Sequence, residues 1–452
     1  MGRLFGTDGV RGVANVDLTP ELALRLGRAA AHLLSPAGGG QFLVGRDTRL
    51  SGPMLEAALV AAICSAGGQA LRGGILPTPA VAYLTRRLGA TAGVVISASH
   101  NPVEDNGIKF FGRDGFKLPD AVEDAIEVLL DSPDLRRAVG LQVGRAEDIP
   151  EAADLYVDHL AALAVAPAAG LRVVVDCAHG AACRTVPALW EALGATVIPI
   201  NDTPDGARIN VRCGSTHPDV VAQAVRDRRA DVGFAHDGDA DRVIAVDETG
   251  AVVDGDGLLA ICALHLHARG RLPGARVVAT VMSNLGLERA LRRAGITLER
   301  TRVGDRYVLE RMRQVGATVG GEQSGHIIFL DHATTGDGAL TAVQVVNVML
   351  QTGKRLSELA AVVERLPQVL VNVAVADRAA LDTRPAIARA VADAQRALGE
   401  RGRVLVRASG TEPLVRIMVE AEDAAQAASL ADHLADVVAR ELGGRRLEAP
   451  RG

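Results

Sequence analysis

The sequence predicts an α/β protein made of three related mixed α/β domains plus a smaller C-terminal α+β domain. Three observations carry that expectation. A strand–turn–helix–strand unit recurs three times, the order of elements changes beyond about residue 368, and 452 residues exceed what one hydrophobic core supports.

The first copy of the unit runs from Phe42-Leu43-Val44-Gly45-Arg46-Asp47 through an Ala/Leu-rich helix at residues 55–64 to Ala66-Gly67-Gly68. The second runs from Val173-Val174-Val175-Asp176 through residues 186–193 to Gly194-Ala195-Thr196-Val197-Ile198. The third runs from Val277-Val278-Ala279-Thr280 through residues 285–293 to Ala294-Gly295-Ile296. Strands that alternate with helices in this way imply βαβ units and mostly parallel sheets. Beyond residue 368, residues 369–375 read as a strand and 384–398 as a helix. Two strands at 403–407 and 414–421 flank a tight loop, and a last helix covers 424–442. That β-α-β-β-α order sets the C-terminal domain apart. The residues from Gly443 onward are expected to fray. The resulting division is 1–152, 153–253, 254–368 and 369–452.

Composition narrows the function. Hydrophobic residues make up 48% of the chain and aromatics only 2%, so the cores are aliphatic and base-stacking surfaces are excluded. The net charge of −5, with no basic stripe or tail, argues against nucleic-acid and anionic-membrane partners. Five scattered cysteines (Cys64, Cys177, Cys183, Cys213, Cys262) form no C-x-x-C pair and no zinc pattern, as expected of reduced thiols. The opening residues lack the apolar core of a signal peptide, and apolar runs stop well short of a membrane span. The expected location is the cytoplasm.

Four polar segments carry the chemistry. Ser97-Ala98-Ser99-His100-Asn101-Pro102 follows the apolar run Val94-Val95-Ile96 and precedes Asn106-Gly107-Ile108-Lys109. It therefore places serine hydroxyls at the C-terminal end of a strand, where open α/β sheets bind ligands. A nucleophile, a phosphate carrier and an ordinary Ser/Asn-rich turn are all compatible with it. Asp237-Gly238-Asp239-Ala240-Asp241-Arg242 sets three carboxylates at alternate positions, which repel one another unless a cation sits among them. The spacing matches the start of an EF-hand loop, but Arg242 stands where that loop requires glycine, and strands flank it instead of helices. Glu322-Gln323-Ser324-Gly325-His326 sits in a glycine-rich turn between strands and suits hydrogen bonding to sugar hydroxyls. Arg407-Ala408-Ser409-Gly410-Thr411-Glu412-Pro413, with Arg416, offers small residues and two guanidinium forks for an anion. No Walker loop and no G-x-G-x-x-G follows a strand, so dinucleotide binding has no support.

Taken together and in this order, one per predicted domain, the four segments resemble the α-D-phosphohexomutase superfamily. The openings Phe5-Gly6-Thr7-Asp8-Gly9-Val10-Arg11-Gly12 and Val303-Gly304-Asp305-Arg306-Tyr307 share the resemblance, which covers essentially the whole chain. It implies four domains around a central cleft, carrying in order the phosphoserine, metal, sugar and phosphate loops. Gln323 stands where the phosphomannomutase/phosphoglucomutase branch usually has methionine, so the details resemble the amino-sugar branch. That implies interconversion of glucosamine 6-phosphate and glucosamine 1-phosphate, feeding UDP-N-acetylglucosamine and cell-wall precursors. A hexose-phosphate mutase and a silent phosphosugar-binding protein are the alternatives.

The resemblance implies Ser99 as the phosphoryl carrier and Mg²⁺ on Asp237, Asp239, Asp241 and phospho-Ser99. A sugar 1,6-bisphosphate is the implied intermediate. Lys109, Arg11 and His100 are placed to assist proton transfer or screen charge. Glu322, Ser324 and His326 are expected on the sugar, and Arg407, Ser409, Gly410, Thr411 and Arg416 on the non-reacting phosphate. The expected partner is a small phosphosugar, with no nucleic acid and no membrane, on a monomer or homodimer.

Overall fold

Parallel strands pair wherever the sequence repeats its unit. In the computed structural model, which describes residues 3–409 and 412–447, Gln41–Arg46 pairs with Gln69–Ile75, Arg172–Asp176 with Thr196–Ile200, and Arg276–Thr280 with Thr297–Thr301. The helices Gly52–Ser65, Ala182–Ala192 and Leu285–Arg293 connect them. The three α/β domains are thus related, and their sheets are mixed. Asp105–Gly112 runs antiparallel to both Ala92–Ile96 and Val10–Val13. Val243–Asp247 opposes Val232–His236, and Ile327–Phe329 opposes Val319–Gly321. These antiparallel steps are where the polar segments sit.

The chain divides into two compact units, Met1–Met282 with Ala294–Val362, and Ser283–Arg293 with Val363–Gly452. The first holds a six-stranded, a five-stranded and a four-stranded sheet. One of its cores is mainly aliphatic, as the composition requires, with Leu26, Val44, Leu55, Leu59 and Ile96 buried alongside Phe42. Within the second unit, an antiparallel sheet of order Gly402–Ala408, Leu414–Ala421, Gln368–Ala374, Arg445–Arg446 packs on the helices Pro385–Leu398 and Ala424–Leu442. The helix Leu285–Arg293 belongs to this unit, where Arg289 pairs with Glu422.

One expectation is corrected here. Residues 443–447 do not fray: Gly443, at φ 60°, ends the last helix, and Arg445 and Arg446 pair with Ala374 and Val373. A left-handed glycine cap turns the chain back onto a sheet edge whose open N–H and C=O groups need partners. Among the described residues, no helix is long and apolar enough to cross a membrane, and all five cysteines are unpaired.

Asp337 illustrates how the sugar domain tolerates a buried charge. Its Oδ1 caps the helix Gly338–Thr352 by accepting from the Leu340 N–H, and its Oδ2 accepts from the Tyr156 hydroxyl at 2.8 Å. Burial pushes the carboxyl up to about 6, against these hydrogen bonds. A folded-state value above the ordinary one contributes stability that is complete below pH about 4 and lost as pH rises through about 6. The full span is worth on the order of 3 kcal/mol, at about 1.4 kcal/mol per pKa unit. Asp337→Asn keeps a capping oxygen and removes the charge. Thermal melts should show its Tm gaining on the parent by more at pH 8 than at pH 5, and a pH-independent difference would refute the assignment.

Candidate active site

The serine segment leaves the C-terminal end of Ala92–Ile96 and is held by a buried guanidinium. All five Arg49 N–H donors are engaged: Nε on Asp47 Oδ2 at 3.0 Å, one terminal nitrogen on the carbonyls of Pro102 and Asp105, the other on those of Ser99 and Asn101. Arg49 and Asp47 are both fully buried. Asp47 Oδ2 also accepts from Ser97 Oγ at 2.6 Å, and Ser97 Oγ in turn accepts from the Ser99 N–H at 2.9 Å. Ser99 needs this support, because its φ of 53° is a left-handed conformation that costs an L-residue roughly 1–2 kcal/mol. The result aims Ser99 Oγ at the acidic loop, where it donates to Asp237 Oδ2 at 2.5 Å. His100 Nδ1 lies 3.3 Å from the same hydroxyl. Burial, then Arg242 and Arg11, push the His100 imidazole down to about 4, so it is neutral at pH 7.

The acidic loop connects the antiparallel strands Val232–His236 and Val243–Asp247. Its backbone touches the serine segment: a Cβ on Gly238 would stand 2.6 Å from the Ser99 carbonyl oxygen, so only glycine fits there. Asn210 Nδ2 also donates to that carbonyl, at 2.9 Å. Asp237, Asp239 and Asp241 are all buried, with one carboxylate oxygen each lying within 4.8 Å of the others. Burial, then Asp241 and Asp239, raise the Asp237 carboxyl well above its ordinary range. Burial also pushes Asp239 up, but Lys109 and Thr78 outweigh it and hold that carboxyl low. Lys109 Nζ at 2.9 Å and Thr78 Oγ1 at 2.6 Å both contact Asp239 Oδ2. Oδ1 of Asp239 and Oδ1 of Asp241 are buried without a hydrogen-bond partner. Orphaned carboxylate oxygens in a buried anionic cluster are the donor set of a hard divalent cation, so the triad can bind a metal.

Lys109, on Asp105–Gly112, reaches both Asp239 and Asp8 Oδ2, the latter at 3.0 Å. Burial alone lowers an ammonium, yet these two carboxylates hold Lys109 far above its ordinary value. Arg11 contacts Asp8 and, at 3.4 Å, the Asn101 side chain. Residues 322–326 form the tip of the hairpin Val319–Gly321 and Ile327–Phe329. The Val243 N–H donates to the Gly325 carbonyl at 3.1 Å, which docks the hairpin tip on the strand leaving the acidic loop. Glu322 Oε1 accepts from the Gly304 N–H, whereas Ser324 Oγ and Gln323 Nε2 are buried without partners. His326 is 2% exposed and turned inward, with Nδ1 3.5 Å from Asp241 Oδ2 and Nε2 accepting from the Gly336 N–H at 3.0 Å.

The remaining candidates belong to the second unit. Arg407 and Arg416 stand directly opposite each other on Gly402–Ala408 and Leu414–Ala421. Burial, then Arg416, lower the Arg407 guanidinium, and both Nε atoms are buried without partners. Arg416 also pairs with Glu412 at 2.5 Å, so among the described residues the two Nε donors are left with capacity for an anion. Ser409 Oγ accepts from the Glu412 N–H, and Arg378 holds the Ser409 and Glu412 carbonyls. Gly410 and Thr411 lie outside the described residues.

The first unit thus brings together Ser99, His100, Lys109, Arg11, the three aspartates and His326. Sequence reasoning did not single out Arg49, Thr78, Asn210, Lys117 or Arg378, and it named Asp47, Asp8 and Asp305 only within longer segments, without a role. Asp47 and Arg49 directly follow Gln41–Arg46, the same strand-end position that drew attention to Ser97 and Ser99. That signal was available.

Known proteins share this succession of domains. Successive segments match phosphoglucomutase/phosphomannomutase alpha/beta/alpha domains I (residues 2–137), II (154–250) and III (254–366), and the C-terminal domain of that family (370–437). The chain belongs to this family and is an isomerase of the α-D-phosphohexomutase class. It is 60% identical to the phosphoglucosamine mutase of Moorella thermoacetica, across 94% of this chain and 96% of that one. It is 55% identical to the phosphoglucosamine mutase of Saccharopolyspora erythraea, across 97% and 99%. Among solved structures, a phosphoglucomutase/phosphomannomutase family protein of Burkholderia thailandensis superposes with a TM-score of 0.83 at 25% identity, covering 98% and 99% of the two chains. The N-acetylphosphoglucosamine mutase of Aspergillus fumigatus, solved with GlcNAc-6P and magnesium, shares the fold at a TM-score of 0.69 and 20% identity, over 97% and 96%.

Arg49→Lys replaces a five-donor fork by a point charge and releases loop carbonyls; Gly238→Ala forces the acidic loop off the serine segment. Each should lower mutase kcat on the order of a hundredfold, the size expected for an ångström-scale misplacement. Steady-state kinetics on folded variants with parental rates would contradict the clamp.

Proposed function

We propose that this chain interconverts glucosamine 6-phosphate and glucosamine 1-phosphate, with Ser99 as the phosphoryl carrier. The observation that carries the reading is Ser99 Oγ, buried and donating to Asp237 within a triad whose free oxygens await a cation. Its setting is a chain 55–60% identical, nearly end to end, to phosphoglucosamine mutases. The amino-sugar substrate rests on those relatives and on Gln323.

Phospho-Ser99 gives its phosphoryl group to the free sugar hydroxyl: the Ser99 Oγ–P bond breaks as the new sugar O–P bond forms, and the proton lost by the sugar hydroxyl is matched by one regained at Ser99 Oγ. The sugar 1,6-bisphosphate so produced turns end over end while bound, and Ser99 Oγ takes back the other phosphoryl. Phosphoryl transfer of this kind needs alignment and charge stabilisation more than covalent chemistry. Asp237, Asp239 and Asp241, with a phosphoserine oxygen, are suited to hold one Mg²⁺, which would neutralise the acidic loop and polarise the transferring group. Lys109 stays charged between Asp239 and Asp8, which suits it to screening phosphoryl charge more than to proton transfer, with Arg11 beside it. Neutral His100 orients the serine or accepts a proton from the attacking hydroxyl.

Glu322, Ser324 and His326 are assigned to the sugar loop. The unpartnered Ser324 Oγ and Gln323 Nε2 are the donors with capacity for ligand oxygens, while His326 supports Asp241 from behind. Arg407, Ser409, Gly410, Thr411 and Arg416 hold the phosphate that is not reacting. A phosphosugar substrate and five unpaired cysteines support a cytoplasmic location. No role for nucleic acid or membrane enters the scheme.

Three measurements bear on this. Intact mass of the purified protein should include a species heavier by one phosphate that disappears in Ser99→Ala along with activity; an active Ser99→Ala variant would sink the carrier role. Exhaustive chelation should abolish turnover and added Mg²⁺ restore it. Parallel kcat/KM values should favour glucosamine phosphates over mannose and glucose phosphates, and a preference for either hexose would move the assignment to the hexose branch.

A further inference from the structure

A row of charges leads away from the acidic loop, and the proposed chemistry uses only its first members. Lys109 Nζ is shared between Asp239 Oδ2 at 2.9 Å and Asp8 Oδ2 at 3.0 Å. The other Asp8 oxygen accepts from Lys117, whose ammonium also donates to Asp305 Oδ2. Arg11 closes on Asp8 from the side. The sequence Asp239–Lys109–Asp8–Lys117–Asp305 alternates in sign without a break, and no member's side chain is more than 18% exposed. Asp305 is the first residue of the helix Asp305–Val315 in the sugar domain, so the row links three domains of the first unit.

Within this row, Asp239 uses its two oxygens differently. Lys109 and Thr78 both contact Oδ2, while Oδ1 is buried and unpartnered. Lys109 stays on Oδ2 because its other carboxylate, Asp8, lies on its far side and is itself held by Lys117 and Arg11. An ammonium that lost Asp8 would keep Asp239 as its one ion-pair partner among the described residues, with Asp241 also attracting it, and would shift toward Asp239 Oδ1. There it would compete with a cation for Oδ1.

Resting on the reading that the acidic loop holds a divalent cation, we propose that Asp8 is a positioning residue for that cation. It shares Lys109 with Asp239 and thereby keeps Asp239 Oδ1 free for the ion, with Lys117 and Asp305 anchoring Asp8 in turn. If Asp8 only neutralised two buried lysines, its loss would lower stability without any effect on cation affinity that depends on Lys109.

The test is calorimetric titration of Mn²⁺ into unphosphorylated protein without sugar, for the parent, Asp8→Asn, Lys109→Met and the double variant. Asp8→Asn should weaken Mn²⁺ binding roughly tenfold, the low end of the range for residues that orient metal ligands. In the Lys109→Met background the same substitution should change affinity less than about twofold, because the competing ammonium is gone. Parental affinity in Asp8→Asn, or an equal weakening with and without Lys109, overturns the proposal. A parent that binds no Mn²⁺ overturns the acidic-loop reading itself, and the proposal with it. Should Asp8→Asn fail to fold, Asp305→Asn leaves Lys117 to draw Asp8 away from Lys109. It should weaken Mn²⁺ roughly threefold, and parental affinity there overturns the proposal equally.

Discussion

Three carboxylates buried within one short loop form the constraint on which the rest of the site depends. Isolated charges in a protein interior are expensive, and like charges a few ångströms apart cannot all stay ionised without compensation. The chain answers in two ways. Lys109 and Arg242 supply protein cations, the latter 3.8 Å from Asp241 Oδ1, and Asp239 Oδ1 and Asp241 Oδ1 keep no hydrogen-bond partner among the described residues, which leaves capacity for an ion. Ser99 is drawn into the same field through its hydrogen bond to Asp237. A phosphoryl group there adds nearly two further negative charges, so nucleophile and cation require each other.

Holding a serine against that repulsion calls for rigidity, which comes from a side chain that touches no substrate. Arg49 gives every N–H to the carbonyls of the serine segment and to Asp47, in a site without solvent. Partially satisfied buried networks are destabilising, whereas complete ones specify a single geometry. The left-handed conformations of Ser99 and Ala240 persist because their neighbours over-determine them. Backbone contact at Gly238 then transmits that geometry from one domain to the next.

This division of labour explains what was legible in the sequence. The repeated unit, the strands flanking each polar segment and the final helix Ala424–Leu442 follow from local periodicity and turn chemistry, which neighbouring residues determine. Ser99 and the three aspartates stood out because their spacing is itself chemical information. Arg49, Thr78, Asp8 and Lys117 act through partners far away in sequence: Thr78 meets Asp239, and Lys117 meets Asp305. A single arginine after a strand looks like any surface arginine until the carbonyls around it are known. His326 reads as a free imidazole in a glycine-rich turn, yet Asp241 and the Gly336 N–H pull it inward. The expectation of fraying fails at residues 443–447 for the same reason, since the sheet edge they complete lies some seventy residues earlier, at Val373 and Ala374; residues 448–452 lie outside the described residues.

A catalyst that treats both ends of one sugar alike can move its own groups or let the substrate turn, and the distribution of hydrogen bonds favours the second. Around Ser99 nearly every donor is committed: Arg49, Ser97 and Asn210 are all bonded within the protein. On the hairpin tip of residues 322–326 the pattern reverses, with Ser324 Oγ and Gln323 Nε2 buried but unpartnered among the described residues. Committed donors resist displacement, so the reacting end is preorganised and need not rearrange between the two transfers. Uncommitted donors carry a desolvation cost until a ligand oxygen arrives, which makes binding there favourable without fixing which end of the sugar is presented. Rigidity around Ser99 and unspent hydrogen-bonding capacity on the sugar loop are therefore two halves of one solution, in the proposed reaction, to an intermediate that must turn while it stays bound.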